Sequence, residues 1–203
     1  MTLKTKNTPY LVAFMSLAYV VFALVNKFDW NFVQTIEVGK EGVIFKNPLF
    51  SLGFYFFVLI LTYLLPSDWK HKIIYLRWKH PLPGSRVFSE LLDKDERISR
   101  KELIDKYGKL PSLPQEQNEL WYKIYKEKQN DEVVLNSHGH WLLFRDLFAI
   151  FIVVAVPSVV FTFLNSGIKS GIIYAVFCFV LIVALWIAAR NAGERFACNV
   201  LAR

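Results

Sequence analysis

The chain has 203 residues, 54% hydrophobic and 16% aromatic, with a formal net charge of +7, a sequence pI near 9.4 and a mean hydropathy of +0.32. That is too apolar for an ordinary soluble domain, and the charge is kept apart from the apolar residues, so the even helix or strand periodicity of one soluble core is excluded. Two cysteines, Cys178 and Cys198, without a Cys-x-x-Cys pair give no basis for zinc or a redox couple.

Four uncharged apolar blocks stand out: Tyr10 to Val25, Pro48 to Leu65, Leu147 to Leu164 and Gly171 to Ala189. A spanning helix needs roughly 17 to 25 apolar residues, so each reads as a membrane span, the first with help from Thr8, Pro9, Asn26 and Lys27. A cleaved signal peptide competes for the first block, but Phe22, Leu24 and Val25 stand where a small-x-small cleavage site would be, which favours a retained anchor. Between blocks one and two, the runs Phe32 to Val38 and Val43 to Phe45 flank Gly39-Lys40-Glu41-Gly42 and predict a short β-hairpin, with Phe28 and Trp30 at an outer aromatic belt.

The segment from Pro66 to His140 opens on Trp69 to His80, which predicts an interfacial helix with Trp69, Lys70, Lys72, Arg77, Trp78 and Lys79 at the lipid headgroups. A turn at Pro81 to Gly84 precedes a short helix from Ser85 to Leu92. Ser99 with Glu102 makes a capping box for a helix that Gly108 ends, and Pro111 and Pro114 lead into a helix to about Gln129. On that last helix Leu120, Trp121, Ile124 and Tyr125 form one apolar stripe, read either as core or as a surface for a soluble protein partner. Ser137 to His140 reads as a cap before the third block; His138 and His140 lack the further ligands a metal needs. Arg145 and Asp146, about 100° apart on a helix, read as headgroup-level residues.

Within the third block Pro157 predicts a kink. In the fourth, Gly171 with Ala175 and Ala184, Ala188 and Ala192 predict small faces for close helix packing, within one chain or between copies. With four crossings, 20 Lys and Arg lie on one side of the membrane and four on the other, which places both termini and the central segment in the cytoplasm. The expected architecture is therefore an all-α membrane protein with four transmembrane helices, a helical cytoplasmic insert and a short extracytoplasmic β-hairpin. Its expected divisions are 1–65, 66–140 and 141–203.

The spans carry no ionisable residue, which argues against ion-coupled transport, proton relays and haem binding, and Ser51, Ser158 and Thr62 have no activating base beside them. The central segment has no Walker A loop, His-Glu-x-x-His or Gly-x-Ser-x-Gly. No cofactor and no catalysis are expected; an unconventional enzyme site around Arg77, Lys79, His80 and Arg86 is the alternative. The basic, aromatic run also suits single-stranded nucleic acid, but an anionic inner leaflet accounts for it and no nucleic acid partner is expected.

The run from Arg77 to Arg86, with Leu110 to Tyr122 and Leu142 to Asp146, resembles small bacterial membrane proteins of anti-phage defence loci. The resemblance covers the central segment and the start of the third block. It implies a membrane partner or effector working with a soluble sensor or enzyme, and carries no functional residues with it. The resulting expectation is a homo-oligomer with a soluble cytoplasmic partner; the competing one is a passive anchor.

Overall fold

The computed structural model describes the backbone of residues 3–27, 36–39, 42–45 and 48–203, and the side chains of 3–27 and 53–203. Its elements in order are α1 (Leu3–Val25), β1 (Ile36–Gly39), β2 (Gly42–Phe45), α2 (Pro48–Leu64), α3 (Ser67–Tyr75), a run of tight turns from Pro83 to Lys94, α4 (Arg100–Tyr107), α5 (Pro114–Lys128) and α6 (Glu132–Leu201). They form two compact units: unit 1 comprises Met1–Pro66 with Asp146–Ile187, and unit 2 comprises Ser67–Arg145 with Ala188–Arg203. Residues 141–203 are thus divided, since both ends of α6 join the central segment.

The expected count of four spans is corrected. Among the described residues two helices are long and apolar enough to cross a membrane, Leu3–Val25 and Glu132–Leu201. Helix α2 has 17 residues, which at 1.5 Å each reach about 26 Å, short of the roughly 30 Å of a hydrocarbon core. The third and fourth blocks belong to one 70-residue helical run. Its backbone stays helical through Pro157 and breaks at Gly167, with φ 80° and ψ 176°, a conformation that glycine alone takes without strain. The Tyr174 hydroxyl donates to Ser158 Oγ at 3.2 Å, which shows that the two arms of α6 fold back on each other.

Between α1 and α2 the two four-residue strands pair antiparallel, with Ile36 opposite Phe45 and Gly39 opposite Gly42, and the rest of the described architecture is helical. Phe28, Trp30, the start of the Phe32 run, and Lys40 and Glu41 lie outside the described residues.

Unit 1 buries Leu11, Met15 and Ala23 of α1, Val58 and Leu61 of α2, and Phe148, Ile150, Phe151, Tyr174 and Leu185 of α6. Phe22 lies 5.6 Å from Phe161 and 5.7 Å from Tyr174. At the end of α1, Asn26 Nδ2 donates to Thr162 Oγ1 at 3.1 Å while its Oδ1 accepts from Ser166 at 2.9 Å, so a polar side chain beside the Gly167 turn is satisfied internally. The exterior is the reverse of a soluble protein's. Ile60, Val156, Leu164, Ile168, Val176, Phe179, Val180 and Ile187 are among the many large apolar side chains it exposes. Such a surface requires an apolar solvent, and with two helices of spanning length it marks the protein as membrane-associated.

Unit 2 holds 31 of the 41 charged residues, 18 Lys and Arg against 13 Asp and Glu, and encloses a hydrophobic core of its own. Val87, Phe88, Leu91, Leu92, Leu103, Trp121, Ile124, Val134, Trp141, Phe196, Val200 and Leu201 form one core. Ser99 caps α4 by accepting from Glu102 N, and Gly108 (φ 80°) closes it with its N–H on Ile104 O at 2.8 Å, as the sequence signals required. The helix expected from Ser85 to Leu92 is instead a series of 3-10 and π turns. The cause is buried Gln117, whose Oε1 accepts from Phe88 N (3.1 Å) and Ser89 N (3.3 Å), taking amides that a regular α-helix would use otherwise. The interfacial helix likewise stops at Tyr75, because Leu76 (φ 51°) and His80 (φ 49°) adopt left-handed backbone. Asp131 caps α6, accepting from Val133 N at 2.8 Å and Val134 N at 3.2 Å. The helix therefore begins ahead of Ser137, and Ser137 to His140 lie inside it rather than at its cap.

Candidate functional site

Two features of unit 2 are built by the facing ends of α6. The first is a buried polar knot around Gly193. A Cβ at 193 would overlap Tyr75 Oη and stand 2.7 Å from Trp141 Nε1, so only glycine lets α3 and the two arms meet here. The Tyr75 ring lies 5.0 Å from the Arg86 guanidinium. Arg86, with only 6% of its side chain exposed, donates to Glu194 at 2.7 Å and pairs with Glu90 at 3.3 Å. Burial, offset in part by the Arg86 charge, raises the Tyr75 phenol well above its usual pKa and keeps it protonated.

An aromatic stack continues the knot. His138 stacks on Phe196 at 4.6 Å and Trp141 on Phe196 at 5.4 Å, with Trp121 edge-on at 5.4 Å and its Nε1 donating to Ala197 O at 3.1 Å. Burial first, and the Arg145 charge second, lower the His138 pKa, so the ring is held neutral, with Nδ1 3.2 Å from the Tyr125 hydroxyl.

The second feature is an open groove of about 710 Å³ on the other face of the same helix ends. Asn136, Ser137, His140, Asn191, Arg195 and Asn199 supply its polar lining; Val133, Leu143, Phe144, Ala188 and Ala192 supply the rest. A cleft of this volume with a few convergent polar groups is of ligand-binding size.

The site residues expected from sequence fall as follows. Trp121 (8% exposed) and Ile124 (0%) belong to the core of unit 2, with Leu120 and Tyr125 packed against it. The stripe is therefore satisfied within the chain, and its reading as a partner surface is corrected. Of the lipid-interface set, Trp69 and Trp78 are exposed and meet edge to face at 5.9 Å. Arg77 and Lys79 are exposed, Lys72 pairs with Asp68, and Lys70 is buried at 2%, which removes it from that edge. Of the alternative enzyme quartet, Arg77 and Arg86 share the carboxylate of Glu90, with Arg86 also held by Glu194, while Lys79 and His80 are exposed at the surface. His138 and His140 point to different faces, one to the stack and one to the groove.

Gly171 does mediate close packing, since a Cβ there would overlap Phe163 of the opposite arm. Ala175, Ala188 and Ala192 are half-buried and Ala184 is exposed. The small residues packed inside are one position further on: Ala189 (0%), Gly193 and Ala197 (0%). Sequence reading passed over them, together with Tyr75, Glu194 and Gln117. The Ala189-x3-Gly193-x3-Ala197 spacing was the available signal.

Compared with known protein families, curated protein sequences and solved structures, the chain matches none. The class that the fold and site define is that of a helical membrane-associated protein with a self-contained polar unit.

Proposed function

We propose that this protein is a homo-oligomeric, multi-pass component of the bacterial inner membrane that works with a soluble cytoplasmic protein, as a defence-associated sensor or a membrane-permeabilising effector. The observation that carries the reading is the contrast of exteriors: apolar around unit 1, charged and net basic around unit 2. The basic excess favours the cytoplasmic side for unit 2 and, with it, for the C-terminus.

A signalling role draws support from α6. The two arms of α6, joined at the Gly167 break, supply both apolar helices of unit 1 and the residues on which the knot of unit 2 closes, Trp141 on one arm and Gly193 on the other. A soluble protein that shifts the packing at the knot pulls on the same helices that face lipid, and a packed contact with no room for a methyl group passes on displacement rather than absorbing it. Burial of Trp121 and Ile124 takes away the docking face on which the passive-anchor reading relied.

The test is the mass of the full-length protein in mild detergent, by detergent-corrected light scattering, before and after affinity isolation from cells. A defined oligomer with a stoichiometric soluble protein is expected. A monomer isolated alone overturns the reading.

A further inference from the structure

We propose that the groove of unit 2 binds the headgroup of an anionic phospholipid, a phosphodiester bearing hydroxyl groups such as phosphatidylglycerol. The inference rests on the membrane reading above and adds a specific ligand and site to it.

The lining has the right chemistry. Arg195 is exposed and permanently cationic, His140 stands beside it as a second nitrogen donor, and no carboxylate lines the groove. The cavity thus favours an anion, and a guanidinium is the side chain best matched to phosphate oxygens. Asn136, Asn191 and Asn199 bring carboxamides and Ser137 a hydroxyl, which both donate and accept as a glycerol headgroup requires. Asn199 already accepts from Arg97 through Oδ1 at 3.0 Å, so its amide nitrogen is the group with hydrogens to donate.

The groove is also graded in the right direction. Its apolar residues Leu143, Phe144 and Ala188 border the uncharged stretches that begin at Leu147 and end at Ile187, while Asn136 and Asn199 stand two to three helical turns beyond. At 1.5 Å per residue that gradient extends about 10 to 16 Å, the depth of a phosphate, glycerol and upper acyl region. A soluble anion would use the polar half and leave Leu143 and Phe144 idle. Its rings are Phe144 and the His140 imidazole, without the Trp or Tyr platform on which a nucleobase stacks best.

The experiment is native mass spectrometry of the full-length protein after exchange into detergent with equimolar phosphatidylglycerol and phosphatidylcholine. The wild type is expected to retain the anionic lipid in about tenfold preference. Arg195→Gln, at an exposed position, should lower that preference about tenfold, and Asn136→Leu should lower it several-fold without changing charge. Lys101→Gln, at an exposed position of α4 outside the groove, should leave it intact. Equal retention of the two lipids, or a preference that survives both Arg195→Gln and Asn136→Leu, overturns the proposal. So does binding of free glycerol phosphate as tight as that of the lipid, and so does a change in oligomer mass without a change in lipid. Extraction from cells as a soluble protein would instead sink the membrane reading itself; a membrane-bound protein without lipid preference sinks only the inference.

Discussion

The same two arms of α6 run through both units and use their apolar residues in opposite ways. Within unit 1, Val176, Phe179, Val180, Val183 and Ile187 are exposed. A few turns on, in unit 2, Phe196, Val200 and Leu201 are buried and Arg190, Asn191 and Arg195 are exposed. What changes between these stretches is the solvent: a helix in lipid gains nothing by hiding Val or Phe, whereas a helix in water gains about 1.5–3 kcal/mol for each such side chain it buries. Stability in unit 1 therefore rests on close fit, as at Gly171 and Phe163, and on internal polar bonds such as Asn26 to Thr162. In unit 2 it rests on a hydrophobic core pinned by the Arg86–Glu194 pair.

The largest expected effect is at Trp121. Replacing it with Ala removes a core indole and the bond to Ala197 O, which should destabilise unit 2 by about 3–5 kcal/mol. Hydrogen exchange should show faster amides in α4 and α5 with the amides of α1 still protected. Equal acceleration in both would break the distinction between the units.

Next comes the exterior. Phe179→Lys places a charge on the apolar outside of unit 1 and should cost about 2.5–3.5 kcal/mol, read as protein lost from the carbonate-resistant membrane fraction. Tyr122→Lys, at a comparably exposed aromatic of unit 2, should stay within about 0.5 kcal/mol. If the two behave alike, unit 1 does not face lipid.

Arg86→Leu is expected to cost about 2 kcal/mol, because it strands Glu194, which keeps a quarter of its side chain exposed and its weaker contact to Arg190 at 3.4 Å. Thermal unfolding in detergent reads this. Arg86→Lys should recover only part, since a single ammonium cannot serve Glu194 and Glu90 at once with the geometry of a guanidinium fork.

Much of this division is visible in the sequence. The uncharged runs, the Ser99 and Gly108 helix signals and the charge bias all describe single elements, where local chemistry decides. What was hidden depends on contacts distant in sequence. The stripe on α5 is apolar whether it meets a partner or Phe196, and only the fold distinguishes them. Ala188-Ala189 offers two overlapping small-residue registers, and Gly193 is fixed on the inside by Tyr75 and Trp141, more than 50 residues away. The groove is likewise invisible, because Asn136, Ser137 and His140 become neighbours of Asn191, Arg195 and Asn199 only once the chain reverses at Gly167. That glycine sits between the third and fourth blocks, where hydropathy alone gives no reason to expect an uninterrupted helical run on either side.

The smallest effect sharpens the contrast most, because it ties the stack of unit 2 to pH. Burial and Arg145 hold the His138 pKa below its usual value near 6.5, so the unfolded chain binds a proton more readily than the folded one. Stability is then fully present above about pH 6.5 and is lost as pH falls through the lowered folded value, with a slope of at most about 1.4 kcal/mol per pH unit for one proton. His138→Phe keeps the stack on Phe196 and removes the titration. The difference between wild type and variant, measured as thermal midpoint against pH from 7.5 to 4.5, isolates this one ring from the other three histidines. A wild type that loses stability on acidification while His138→Phe does not would place the sensitive proton inside unit 2. Parallel curves would mean that His138 protonates as easily in the folded protein as in the unfolded chain, and that the stack is open to water.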